Sequence, residues 1–429
     1  MIHRGTGTRP AVRGCLLGAA AALTVLCASA PAAAQQTADL YRRAPLLGDD
    51  AFAGLVEGRG SLQFGADASA GNNALDLDRL GAVLFLAERD SLRDADALDA
   101  LSLVPRGVGL TGHGNAGARF RIGVPLASGL TVGVGASGRG YGSFRVDDDA
   151  VALLRDGNGS RSEFPLGETR GDGLLTAEVG VHGVWHPLVA SDEAGRDVRL
   201  ALGAGVRHVQ PLFFARVRSE LENRTRIVVT ADSIRARVSV ATEHTPSVAR
   251  RGGGYLTDLM ARLAVPGSGV ALEVGVRGLG DVTVEGVERR LEEVDLSTTR
   301  LDSVVDVVES LSLDVRDTVN ATVTPPALVD VTASLWSGIP FQLDGRVVLP
   351  AGGDVGDRPP AGEVLTTWRL GAVPVRAGAR FGGRAGVGGR FGLGLETGSF
   401  FLRGSAVTSG GFGGTARGLA ARMDVGVWF

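Results

Sequence analysis

Leu419-Ala420-Ala421-Arg422-Met423-Asp424-Val425-Gly426-Val427-Trp428-Phe429 is the stretch whose reading decides the fold. Its apolar residues fall at every second position: Leu419, Ala421, Met423, Val425, Val427 and Phe429. Between them stand Ala420, Arg422, Asp424, Gly426 and Trp428. Successive side chains of a strand point to opposite faces, so one face is wholly apolar and the other carries a charge pair. A soluble sandwich would turn the apolar face inwards. A barrel in lipid inverts the arrangement, with the apolar face outside and the polar face lining the lumen.

Working back from this strand, the same alternation recurs. Val373, Val375, Ala377, Ala379 and Phe381 alternate with Arg376, Gly378 and Arg380. Val387, Phe391, Leu393 and Leu395 alternate with Gly388, Arg390, Gly392, Gly394 and Glu396. The pattern returns at Val198–Arg207 and Phe341–Leu349, and similar runs start near Ala118, Leu130, Leu175, Ile234, Tyr255 and Val270. Gly, Arg and Glu on the second face suit a water-containing lumen better than a packed core. The expectation is an all-β fold, a transmembrane antiparallel barrel of roughly 14 strands at the usual spanning length. Only closure removes the edge strands whose unpaired backbone lipid would penalise.

The N-terminal residues fit this destination. Arg4, Arg9 and Arg13 precede an uncharged apolar run from Cys15 to Ala30, and Ala32-Ala33-Ala34 offers small residues for cleavage before Gln35. Residues 1–34 are therefore expected to be a secretory signal peptide. Cys15 and Cys27 both lie inside it, which leaves no cysteine for a disulfide or a thiolate metal site afterwards. Removing its three arginines takes the formal charge from −3 to −6, with 41 basic residues against 47 acidic. That mild acidity argues against nucleic-acid binding. The 65 glycines are about twice the usual globular share. They are scattered through the alternating segments rather than gathered in a low-complexity block. Beyond the signal, no apolar stretch is long enough for a membrane-spanning helix.

Two regions break the alternation. Leu75 to Leu103 places Leu77, Leu80, Val83, Leu84, Leu98 and Leu101 at near-helical spacing. It reads either as a helical plug inside the barrel or as a loop helix outside it. Residues 35–104 are thus expected to form an N-terminal segment and residues 105–429 the barrel. Within the barrel, 285–314 mixes Val and Leu with Glu292, Glu293, Asp295, Asp302, Asp306 and Glu309. The expectation there is a long, partly helical excursion.

Site motifs are few. Gly133-Val134-Gly135-Ala136-Ser137-Gly138 has dinucleotide-loop spacing but sits inside an alternating run, where that chemistry has no helix N-terminus to use. His182 and His186 would stand about 13 Å apart on a strand, too far to share an ion. Asp147-Asp148-Asp149 and Asp49-Asp50 lack the spaced ligands of a calcium loop. No local signature assembles a catalytic triad, so no enzyme, cofactor or metal is expected. The residues with most functional content are the inward charges. On the first strands these are Arg119, Arg121, Glu178, Arg199 and Arg207; farther along they are Glu273, Arg277, Asp344, Arg346 and Arg376. Arg380, Arg390, Glu396, Arg422 and Asp424 complete the set. Arginine rings can select anions, and facing ladders of opposite charge can constrict a pore.

With the terminal Phe429, the Gly-rich strands and the early helical segment in view, the chain resembles the outer-membrane barrels grouped with long-chain fatty-acid transporters. Gly269-Val270-Ala271-Leu272-Glu273-Val274-Gly275-Val276-Arg277-Gly278-Leu279-Gly280 is similar to segments of their uncharacterised members. Such transporters usually carry Asn-Pro-Ala near the mature N-terminus. Here Gly71-Asn72-Asn73-Ala74-Leu75 lacks the proline, so architecture and broad role are carried over but not the fatty-acid substrate. The resemblance implies a bacterial outer-membrane location, contact with outer-membrane lipid, and delivery by the barrel assembly machinery, with Met423, Val425, Val427 and Phe429 as the recognition signal. Two roles follow as expectations. One is passive transport of a small or hydrophobic solute through the lumen. The other is a structural or assembly barrel that anchors a secreted or periplasmic protein partner.

Overall fold

The computed structural model describes residues 60–76 and 101–429, apart from short breaks, together with Phe52, Leu55 and Arg79. Nineteen strands form one sheet. The first nine are β1 (Ser61–Asn72), β2 (Leu110–Ala127), β3 (Leu130–Val146), β4 (Glu163–Pro165), β5 (Arg170–Ser191), β6 (Asp197–Ser219), β7 (Arg226–Val229), β8 (Ile234–His244) and β9 (Gly253–Val265). Then come β10 (Val270–Leu279), β11 (Val282–Thr298), β12 (Val308–Val323), β13 (Ala327–Trp336) and β14 (Phe341–Gly352). The last are β15 (Ala361–Leu370), β16 (Val373–Gly382), β17 (Gly388–Glu396), β18 (Phe400–Ser409) and β19 (Gly418–Trp428). One helix, α1 (Asp148–Asp156), follows β3.

Every pairing is antiparallel, and β19 returns to β1 in an unbroken register from Ser61↔Trp428 to Gly71↔Gly418. The sheet is thereby a closed barrel. Where β6 pairs directly with β9, the circuit contains fourteen strands. By the taller route from β6 through β8 and β11 to β9 it contains sixteen. The difference from the expected count of roughly fourteen comes from strands that break and continue upwards. β8 stands above β9 along the same edge of β6, and β11 continues β10. The pair Arg277↔Leu328 in the wall and the pair Val282↔Val323 above it share one register. At the break, Gly278 and Gly280 have φ of 71° and 138°, and a Cβ on Gly280 would lie 2.2 Å from the Tyr255 carbonyl oxygen. Only glycine turns the chain there without strain.

Two boundaries differ from the sequence expectation. The barrel begins at β1, well before residue 105, because β1 carries its outward face on Leu62, Phe64, Ala66, Ala68 and Ala70. Three alanines give a weak apolar signal, so the alternation is easily passed over. The 285–314 excursion is not helical where it is described: β11 and β12 pair from Val282↔Val323 to Ser297↔Val308. Its β-branched residues suit a strand, and β11 is hydrogen-bonded on both sides, to β12 and to β8. Most of the Leu75–Leu103 segment lies outside the described residues, so the plug reading of it finds no support. Its two flanks, Ala74 with Leu75 and Leu101 with Val104, pack with Leu110 and with Val151 of α1.

The two ends of the barrel differ. At one end the connections are tight, as between β2 and β3 (Ala127 to Leu130) and between β15 and β16 (Leu370 to Val373). At the other stand the long connections, α1, and the β4–β7–β8–β11–β12 sheet. Short turns at one end and long loops at the other are the asymmetry of outer-membrane barrels.

The polarity is inverted relative to a soluble protein. On β19, Leu419, Met423, Val427 and Phe429 are exposed, whereas Arg422, Asp424 and Trp428 are buried. Around the ring, Leu272, Val274, Val347, Val364, Phe391 and Leu393 are likewise exposed. Aromatic residues mark the edges of this outward band, with Trp185, Trp368 and Phe429 near the short turns and Tyr255 and Phe381 near the long loops. A continuous apolar exterior of this size is incompatible with water and fits a hydrocarbon slab edged by aromatic girdles. Strands confined to the wall, such as β15 to β18, run 9 or 10 residues. That is the length a tilted strand needs to cross it.

Candidate functional site

The interior is built from the second face of the same strands. Each inward charge is fixed by alternation, and neighbouring strands bring acids and arginines into register. Near the seam, Arg119 of β2 reaches Asp67 of β1 at 3.0 Å and Asp424 of β19 at 2.5 Å, and Arg422 closes on Asp424 at 2.5 Å. Across the barrel, Arg207 of β6 forks onto Asp258 of β9, with Nε and Nη2 donating at 2.8 and 3.0 Å. The same guanidinium meets Glu178 of β5 at 2.5 Å. Asp258 also accepts from the Gly278 backbone N–H at 2.9 Å and faces His182 Nε2 at 3.0 Å. A carboxylate that is fully buried is tolerable only when its lone pairs are used in this way.

Farther round, Arg277 of β10 holds Asp330 of β13 at 2.8 Å, and Arg390 of β17 holds Glu363 of β15 at 2.8 Å. Arg346 of β14 lies between them, 3.9 Å from Asp330 and 3.7 Å from Glu363. Glu396 is shared by Arg369, Arg376 and Arg403, at 2.9, 3.5 and 2.7 Å. Three cations on one carboxylate leave this wall cationic.

Twelve of the fifteen charges singled out in the sequence are buried inside the barrel; Arg121, Arg199 and Arg380 are half-buried on the same face. They do not converge on one point. Glu273 stands opposite Arg262 in register near the short-turn end, and Asp344 accepts from Gln342 Nε2 at 2.8 Å. Sequence reasoning missed Asp67, Asp258, Asp330 and Glu363, the acids that hold the arginines. Asp330 was legible, since it sits between Val329 and Val331; Asp258 adjoins the equally buried Leu256 and Met260, which mask its face. His182 is a lumen residue in this set, while His186 lies past it near the tight turns, where its backbone N–H donates to the Gly129 carbonyl. No cluster of metal-ligating residues occurs among the described residues. The Gly133–Gly138 run lies in β3, paired on both sides. Asp147 is a helix cap, its Oδ1 accepting from the Asp149 backbone N–H at 2.8 Å. At the far end of that helix, the hydrogen bond from Arg155 holds the Asp156 carboxyl below its usual range. Asp49 and Asp50 lie outside the described residues.

The lumen is occupied differently along its length. Towards the short turns, Phe52 and Leu55 are buried inside the barrel against Val184, Ala201 and Met260. Small inward residues make the room: a Cβ on Gly123 or Gly133 would lie 2.6 or 2.8 Å from Leu55 Cδ2, and one on Gly203 would lie 2.9 Å from the Phe52 ring. The Phe52 ring meets His182 edge-on, with centroids 5.6 Å apart. Nothing in the sequence pattern marks these two residues, which precede the first strand. Towards the long loops the lumen opens into a cavity of ≈150 Å³. Five arginines and three carboxylates line it, with apolar patches from Leu256, Leu328 and Val348. Above it, Leu174, Phe214, Val284, Val287, Val323 and Val355 form an apolar cluster under the tall hairpin.

No family model matches the sequence, and no curated protein matches it. Several solved structures are similar to the chain at low identity. A TodX monoaromatic hydrocarbon channel mutant (deltaS2S3) is 10% identical with a TM-score of 0.43, over 86% of this chain and 89% of that one. The Pseudomonas putida toluene transporter TodX is 8% identical with a TM-score of 0.41, over 86% and 88%. A Pseudomonas aeruginosa FadL homologue is 8% identical with a TM-score of 0.41, over 88% and 93%. At these values the likenesses carry no argument of their own. The closed antiparallel barrel rests on its strand pairings, and the site on the side chains that face its lumen.

Proposed function

We propose that this protein is a bacterial outer-membrane barrel that passes a small or hydrophobic solute through its lumen by diffusion, with no covalent chemistry. The observation that carries the reading is the inverted wall: an apolar band outside, and ion-paired arginines and carboxylates around an internal cavity. The long-loop end then faces the exterior and the short-turn end, with Phe52 and Leu55, the periplasm. Arrival in the membrane would use the terminal strand, whose Met423, Val427 and Phe429 point outwards.

The test is solute flux into liposomes that hold the purified protein, read for neutral solutes of graded size. Uptake above protein-free vesicles is the expected result. An intact barrel, seen as a heat-modifiable band on a gel, that gives no flux for any solute would overturn it. The second reading, a barrel that anchors a secreted partner, draws on the β4–β7–β8–β11–β12 sheet standing beyond the ring. It predicts co-purification of a partner and no flux.

A further inference from the structure

The outer cavity has a charge imbalance with a specific owner. Its lining arginines are Arg139, Arg207, Arg277, Arg346 and Arg380, against Asp67, Asp330 and Glu363. Four of the five arginines stand within 4 Å of an acid: Arg139 and Arg207 at Glu178, Arg277 and Arg346 at Asp330. Arg380 differs. Its guanidinium makes no ion pair and no hydrogen bond with any described residue. Glu363, the carboxylate opposite it in register, is instead taken by Arg390 at 2.8 Å. Arg380 sits on β16 just below the turn at Gly382 and Gly383, whose φ values are 78° and 73°. A Cβ on Gly383 would come within 3.8 Å of Arg380 Nη2, so the glycine turn leaves room beside the guanidinium.

We propose that this cavity is a recognition subsite for a small carboxylate-bearing solute, with Arg380 as the group that takes the carboxylate. The inference rests on the transport reading and deepens it by naming the charge class of the solute. A planar guanidinium offers two parallel N–H donors to a carboxylate, a match neither a neutral nor a cationic solute can make. The cavity supplies the remainder of the fit. Its ≈150 Å³ is the size of an engineered apolar cavity that accepts benzene. The Leu256, Leu328 and Val348 side chains give an apolar body something to lie against.

The experiment is equilibrium binding of three probes of like shape to the detergent-solubilised full-length protein: benzoate, benzyl alcohol and benzylammonium. Benzoate should bind at least tenfold more tightly than benzyl alcohol, the scale of one charge-assisted hydrogen-bonding contact. Benzylammonium should bind more weakly than either. Arg380→Gln should remove the benzoate advantage and leave benzyl alcohol unchanged, and Arg380→Lys should restore part of it. Equal binding of benzoate and benzyl alcohol, tighter binding of benzylammonium, or benzoate binding that Arg380→Gln leaves intact would each overturn the proposal. The wild-type probe series decides the matter even where a variant fails to fold. Neutral-solute flux into liposomes without benzoate selectivity would sink this subsite and leave the transport reading standing.

Discussion

The two halves of the lumen are closed and open by opposite means. Towards the short turns, two apolar side chains from ahead of the first strand sit against glycine, alanine and Met260. Towards the long loops, the same strands carry arginines and carboxylates that hold one another apart around a cavity. One wall can do both because the inward face of a strand is free of the constraint that lipid places on the outward face. Outward positions must be apolar; inward positions can be small where a chain must fit and charged where a space must stay wet. Between the halves runs one contiguous set of contacts, from Phe52 to His182, to Asp258, to Arg207 at the cavity wall.

Cutting that set at Asp258 is expected to have the largest effect. Asp258→Ala removes the carboxylate onto which Arg207 forks and which His182 faces, and removing one partner of a buried ion pair costs roughly 3–5 kcal/mol. Denaturant unfolding in lipid vesicles should show a loss of unfolding free energy of that size. A loss under about 1 kcal/mol would mean that water already screens the pair, and that the two halves are not separated by a dry layer. Next is a charge on the outward face. Leu272→Arg in the apolar band should destabilise by roughly 2–4 kcal/mol if it lies near mid-membrane, and less towards either rim. Placing the same arginine at Thr332, which stands opposite Glu273 on the inward face, should cost less, because a carboxylate of the lumen already faces that position. Equal costs at the two positions would break the assignment of faces.

How much of this was readable beforehand follows from the same contrast. The faces were legible wherever Val, Leu or Phe alternated with Arg, Glu or Gly, as on β16, β17 and β19, and those strands are placed as their pattern implies. β1 was not, because three of its five outward positions are alanine, which gives the apolar face a weak signal. Nor was the 285–314 hairpin, where charged residues such as Arg289, Arg290, Glu292 and Glu293 fall on both faces of β11 and blur the period. The arginines of the lumen were recoverable one by one, but their partners depend on which strands meet. That information lies in the register between distant segments, as between Arg119 and Asp424. Phe52 and Leu55 left no signal, since a plug residue is recognised by the space prepared for it on other strands.

A smaller effect bears on the lower half. Phe52→Ala removes a ring that packs on the wall from inside without belonging to it. The barrel's unfolding midpoint should therefore move far less than with Asp258→Ala, while neutral-solute flux into liposomes should rise severalfold. Unchanged flux would place the barrier elsewhere, under the apolar cluster around Phe214 and Val284.

At the other extreme is Arg237→Ala on β8 of the upper sheet. Its Nε donates to Asp295 at 2.8 Å, but both side chains are open to solvent, and such pairs add little. Neither the unfolding midpoint nor flux should change measurably. A clear loss of stability would mean that the upper sheet is part of the barrel's cooperative unit rather than an extension standing on it. The separation of an upper sheet from the ring at Gly278 and Gly280 would then be one of shape only.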